Sequence, residues 1–240
     1  MKTLSLATVG GVCALIMVAG FVVGIVLMAS SGVQTLIPET GAEGREWIRD
    51  VDDAGGPFFA GAWLLNFAGL FGLVAFLGFY DALKGAGPVM IVAPIAGAVG
   101  MTLVTVSHAV PVAMAYELAP GYLESSGPTQ DALAVTSDTL ASICLLTNYL
   151  GNALGWGLAV PLFAYAILKT SALPRWIGWV GLVSAVFAGW LGLLGPAWSV
   201  IEGLTVIGFL AFFVFMASMG VALLRRRGER APGAAPVVTA

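Results

Sequence analysis

The sequence predicts an all-α fold: a polytopic membrane protein, a bundle of six transmembrane helices with both termini in the cytoplasm (N-in/C-in). Three observations predict it. First, 59% of the 240 residues are hydrophobic and only 10% are charged, against about 25% charged in soluble domains. Most side chains must therefore face lipid or one another. Second, six apolar stretches reach the roughly 20 residues that a bilayer crossing needs. Third, the cations segregate. Lys2, Lys84, Lys169, Arg175, Arg225, Arg226, Arg227 and Arg230 fall on one side of a six-span arrangement, and only Arg45 and Arg49 on the other. Basic residues mark the cytoplasmic side, so Arg175, Arg225, Arg226 and Arg227 are read as topology anchors.

The six-helix domain covers 1–228, and 229–240 is expected to be a disordered cytoplasmic tail. Span one is 3–28. Its apolar run far exceeds the ~7–15 residues of a cleavable signal peptide, so it is expected to remain as a helix. Val12 before Cys13 is not the small residue that a lipidated cysteine would have. Span two is 58–83, opened by Gly55-Gly56-Pro57, and span three is 89–115, opened by Pro88. Span four is 140–168. Span five is 176–194, opened by Pro174 and closed by Gly195-Pro196, and span six is 201–224. Proline at a helix start costs least, because its missing N–H would be unpaired there anyway.

Two outer segments are substantial, 30–56 and 118–138. They hold most of the acids, including Glu43, Glu46, Asp50, Asp52, Asp53, Glu124, Asp131 and Asp138. In the first, Trp47, Ile48 and Val51 share one arc, which suits a short interfacial helix with Trp47 at headgroup depth. A solvated loop is the other reading. In the second, Pro128-Thr129-Gln130-Asp131 is a helix start with an acid in its first turn, and that helix is expected to run unbroken into span four. Span two ends Tyr80-x-x-Leu83-Lys84 before Pro88, and span four ends Tyr165-x-x-Leu168-Lys169 before Pro174. That is either a direct repeat of spans 2–3 in spans 4–5 or the shared chemistry of helix ends.

The candidate chemistry is sparse. His108 is the only histidine, and an ionisable group inside a membrane helix is a functional hypothesis by default. Asn148 and Asn152 are four apart and share a helix face, with Tyr149 beside them. Asn66 sits at a similar outer depth. The sharp reading joins Asn66, His108, Asn148 and Asn152 in one outer polar pocket, bordered by Tyr149 and walled by Trp63, Trp156 and Trp190. The plain reading makes the amides interhelical glue. Gly151 and Gly155 form a Gly-x-x-x-Gly pair that is expected to face Gly178, Gly181 and Gly189 of span five.

Other functions have no foothold. Cys13 and Cys144 are the only two cysteines and both lie in apolar spans, so neither a disulfide framework nor a zinc site is expected. One histidine cannot give bis-His haem. No cofactor and no metal are expected. A net charge of −3 with one basic cluster argues against a nucleic-acid partner. No nucleophile motif or phosphate loop occurs, and no spacing fixes two carboxylates together.

At Leu173-Pro174-Arg175-Trp176-Ile177-Gly178, followed by Trp179-Val180-Gly181-Leu182, the chain resembles bacterial six-helix membrane proteins classed as domain of unknown function 4386. They share a Leu-Pro-Arg-x-x-Gly turn between helices four and five, after a Tyr-rich, Gly-rich fourth helix. The resemblance implies the six-helix fold and a place in the bacterial inner membrane. It brings no activity, cofactor or catalytic residue. The expected function is non-enzymatic: a scaffold or accessory subunit of a membrane assembly, meeting a membrane-protein partner or a second copy of itself through the acidic outer segments. The alternative is a small-molecule or lipid binder or transporter that uses the outer polar pocket.

Overall fold

The computed structural model describes residues 4–197 and 199–229, with the backbone alone at 195–202 and 227–229. The expectations for Lys2, Arg230 and the tail 230–240, and for the side chain of Arg227, lie outside the described residues. Among those residues the fold is all-helical. Six helices are long and apolar enough to cross a membrane.

Helix α1 is Leu6–Ser30, opened by the Ser5 hydroxyl, which accepts from the Thr8 N–H. Helix α2 is Gly41–Leu83 and contains the expected span 58–83. Its extra length comes from the outer segment, which is helical from Gly41 and joins the apolar half across a kink at Gly55 (φ 59°, ψ −148°). That backbone region is essentially restricted to glycine. The N–H of Gly41 donates to Asp138 Oδ1 at 2.8 Å, so an acid from another helix caps this one. Trp47, Ile48 and Val51 do share a face, but that face is buried in the bundle. Trp47 donates from Nε1 to the Thr35 carbonyl at 2.9 Å and meets Phe58 edge-on. The Trp47 ring therefore packs against protein instead of standing free at an interface.

Two short 3-10 turns, Lys84–Ala86 and Pro88–Ile91, lead into α3, Val92–Ala113. A π-helical turn, Met114–Leu118, joins α3 to the short α4, Ala119–Glu124. Gly127, at φ 60°, starts α5, Pro128–Leu154. A second π turn, Gly155–Ala159, carries α5 into α6, Val160–Thr170. The helix opened by Pro128 thus runs 43 residues to Thr170. Then come α7, Arg175–Ser184, a third π turn, Ala185–Trp190, and a 3-10 stretch, Leu191–Ala197. Helix α8 is Ser199–Glu229.

Glycine sets how closely these helices pack. A Cβ on Gly10 of α1 would lie 2.5 Å from Gly78 Cα of α2, so the two backbones touch. One end of the bundle carries the turns 84–91 and 170–175. There Lys169 Nζ donates to the Ala86 carbonyl at 3.2 Å. Lys84 pairs with Asp81 at 2.8 Å, the one ion pair among the described residues. The other end carries the acidic outer helix and the start of α5. The core between them is aromatic: Phe76 stacks on Phe163, and Phe79 meets both Phe163 and Phe215 edge-on.

Candidate functional site

The polar residues singled out above gather at one level of the bundle, but on two sides of α3. Toward α5, Asn148 donates from Nδ2 to Ser107 Oγ at 3.0 Å, and its Oδ1 accepts from Asn152 Nδ2 at 3.0 Å. Ser107 Oγ in turn donates to its own helix at the Val104 carbonyl, 2.8 Å away. This is a continuous chain of side-chain hydrogen bonds between two helices. It exists because Asn148 and Asn152 are one turn apart, so one amide can orient the next.

Toward α2 the pattern differs. Thr105 Oγ1 sits directly over Gly69, where only a residue without a side chain leaves room. Helices α2 and α3 run antiparallel, so three residues outward from this contact brings Asn66 and His108 to one level. Asn66 is 4% exposed and donates to its own helix at the Ala62 carbonyl, 3.0 Å away. Its Oδ1, Thr105 Oγ1 and His108 Nδ1 are all buried without a hydrogen-bond partner. Ser107 and His108, adjacent in sequence, point about 100° apart on the helix. That is why one joins the α5 chain and the other does not. The single pocket expected from the sequence is thus divided by α3 into a largely paired half, where Asn152 Oδ1 alone lacks a partner, and an unpaired half.

The expected aromatic walls lie elsewhere. Trp63 is 46% exposed and stacks on Phe67. Trp156 is buried and turned toward α8, edge-on to Phe209 and Phe212. Trp190 is half exposed, and its Nε1 donates to the Gly157 carbonyl at 2.7 Å. Pro161, four residues beyond Gly157, has no N–H to give that carbonyl its α-helical partner. An indole from span five supplies the missing donor. Tyr149 is half-buried beside Asn148. No signal in the sequence pointed to Thr105 meeting Gly69 or to the Pro161–Trp190 relation, because both depend on which helices become neighbours.

The Gly-x-x-x-Gly pair also has a different partner from the one expected. A Cβ on Gly100 would lie 2.5 Å from Gly155 N and 2.7 Å from the Gly151 carbonyl. The pair faces span three, not span five. Span five meets span four through Gly157 instead: a Cβ on Gly189 would be 2.5 Å from Gly157 Cα. Gly157 is two residues past Gly155, on the opposite side of the helix. Gly178 packs on Ala164 and Leu168, and Gly181 on Phe215 and Ala164.

At the basic end, a cleft of about 860 Å³ opens between the start of α7 and the last turns of α8. Arg175, Arg225 and Arg226 line it. The sequence marked all three as anchors without bringing them to one place. No group of three or more His, Cys, Asp or Glu side chains that could hold a metal occurs among the described residues. Comparison with protein-family models, curated proteins and solved structures gives no match to this chain.

Proposed function

We propose that the chain is an integral protein of a bacterial inner membrane, with both termini cytoplasmic, acting as a non-enzymatic scaffold or accessory subunit. One observation carries this reading. The amides that most resemble a site, Asn148 and Asn152, are engaged in a hydrogen-bonded chain to Ser107 on a neighbouring helix. Such bonds fasten helices in lipid, each contributing about 0.6–2 kcal/mol. The outer helix supports the partner role. Its Trp47, Ile48 and Val51 face is buried, which leaves Glu43, Glu46, Asp50, Asp52 and Asp53 exposed on a fixed surface. The orientation follows from the gathering of Lys84, Lys169 and the three cleft arginines at one end. Membership of the domain of unknown function 4386 family, read from the Leu-Pro-Arg turn, is part of the same proposal.

A second reading has its own support. The Asn66, Thr105 and His108 atoms, on the adjacent helices α2 and α3, are buried and unpaired, and buried polar groups normally have partners. A small polar ligand donating to Asn66 Oδ1 and His108 Nδ1 would meet that need. A photo-crosslinking residue in place of Asp50, activated in intact cells, separates the two. The scaffold predicts one discrete protein adduct above the monomer. Adducts to lipid alone overturn it. Impermeant thiol labelling at Thr129→Cys should occur without lysis, and at Ser171→Cys only after lysis. The reverse pattern overturns the orientation.

A further inference from the structure

We infer that the cleft between α7 and α8 binds the phosphoryl headgroup of an anionic phospholipid. It needs only that the chain lies in a bilayer, and it stands apart from the scaffold reading. Its three guanidinium groups come from two elements that are distant in sequence. Arg175 is the first residue of α7, and Arg225 and Arg226 lie near the end of α8. Three cations lining one cleft make a basic site that an anion can join. Among the described residues none of the three has an ion-pair partner, and no acidic side chain lines the cleft. Elsewhere at this end cations are engaged: Lys84 has Asp81, and Lys169 has the Ala86 carbonyl. The arginines are the exception, and they surround open volume.

The rest of the lining fits a lipid better than a free ion. Val221 and Ala222 of α8 and the Trp176 ring add an apolar wall to the basic one. An acyl chain can lie along that wall while the headgroup meets the arginines, and Trp suits the depth between the two. Ser171 and Ser218 add hydroxyls on either side. Arginine suits the role because its planar fork holds a phosphoryl group through paired N–H donors, whereas lysine presents a point charge. Basic pockets between membrane helices on the cytoplasmic side recognise anionic headgroups in this way. A bare topology anchor needs only positive charge.

That difference gives the test. Full-length protein in neutral detergent is titrated with phosphatidylglycerol, and the lipid-bound fraction is read by native mass spectrometry. Phosphatidylcholine and inorganic phosphate are run in parallel. The triple variant Arg175→Lys, Arg225→Lys, Arg226→Lys keeps every charge. The expected result is preferred phosphatidylglycerol binding by the natural chain, weakened roughly tenfold or more in the lysine variant, as loss of charge-assisted hydrogen bonds implies. Millimolar inorganic phosphate should leave the lipid bound. Equal binding of the two lipids, or lysine-variant affinity equal to that of the natural chain, overturns the inference. Displacement of the lipid by free phosphate overturns the assignment to a lipid. Should the triple variant fail to fold, Arg175→Lys alone is held to the same criterion, with about a threefold loss expected.

Discussion

The contact between α3 and α5 and the cleft between α7 and α8 are built on opposite terms. At the first, Gly100 meets Gly151 and Gly155 backbone to backbone, and Ser107, Asn148 and Asn152 bond one another. At the second, three arginines line a cleft beside the helix contact, without ion-pair partners among the described residues. Both regions contain polar groups inside an apolar chain. The first answers most of its own from within, leaving only Asn152 Oδ1 without a partner. Polarity alone therefore does not mark a site in this molecule; polarity that the fold leaves unanswered does. By that criterion the basic cleft and the Asn66–Thr105–His108 contact, where three buried atoms lack partners, rank ahead of the amide chain, where Asn152 Oδ1 alone does.

The largest test of this contrast is Gly100→Ala. The added methyl meets backbone at Gly155 and Gly151, which cannot move aside as a side chain could. We expect a loss of about 1–3 kcal/mol, read as a lowered unfolding midpoint in detergent. Gly203→Ala serves as the control, since nothing lies within 4 Å of its Cβ position. Equal effects at the two positions would remove the close-packed seam from the account. Next in size is Asn148→Leu, which deletes both side-chain bonds of the chain and should lose about 0.6–2 kcal/mol. Combined with Ser107→Ala, its effect should fall short of the sum, because the two share one bond. Strict additivity would separate them. The smallest effect belongs to the rim of the cleft. Ser171 is the only non-glycine residue at positive φ among the described residues, at 49°. Ser171→Gly should raise the midpoint, by up to about 1 kcal/mol, because glycine adopts that conformation freely. A lowered midpoint would mean that the hydroxyl itself holds the turn.

The architecture was readable because hydropathy and length together mark helices apolar enough to cross a membrane. Six such helices follow from the sequence alone, as does the long helix that starts at Pro128. Neighbours were less readable. Gly151 and Gly155 announce a close approach, yet nothing in their spacing says whether span three or span five makes it. The π turn at Gly155–Ala159 then rotates the following residues, so that Gly157 meets span five. The amide pair was legible as a shared face, since Asn148 and Asn152 are one turn apart. Its separation from His108 was not, because that depends on α3 sitting between two partners. Trp47 was legible as the apolar side of a helix. Whether that side met lipid or protein depended on the fold of Gly55, which a single glycine in a list of 32 does not declare.

The kink at Gly55 has a mechanical result. The outer part of α2 is clamped to α5 through Asp138 and to the bundle through Trp47, while the inner part runs against α1. The two parts connect through a residue whose dihedral angles no other amino acid adopts comfortably. The angle between the docked extension and the apolar half is therefore set by one backbone conformation, and a side chain at position 55 would strain that joint and set the two halves against each other.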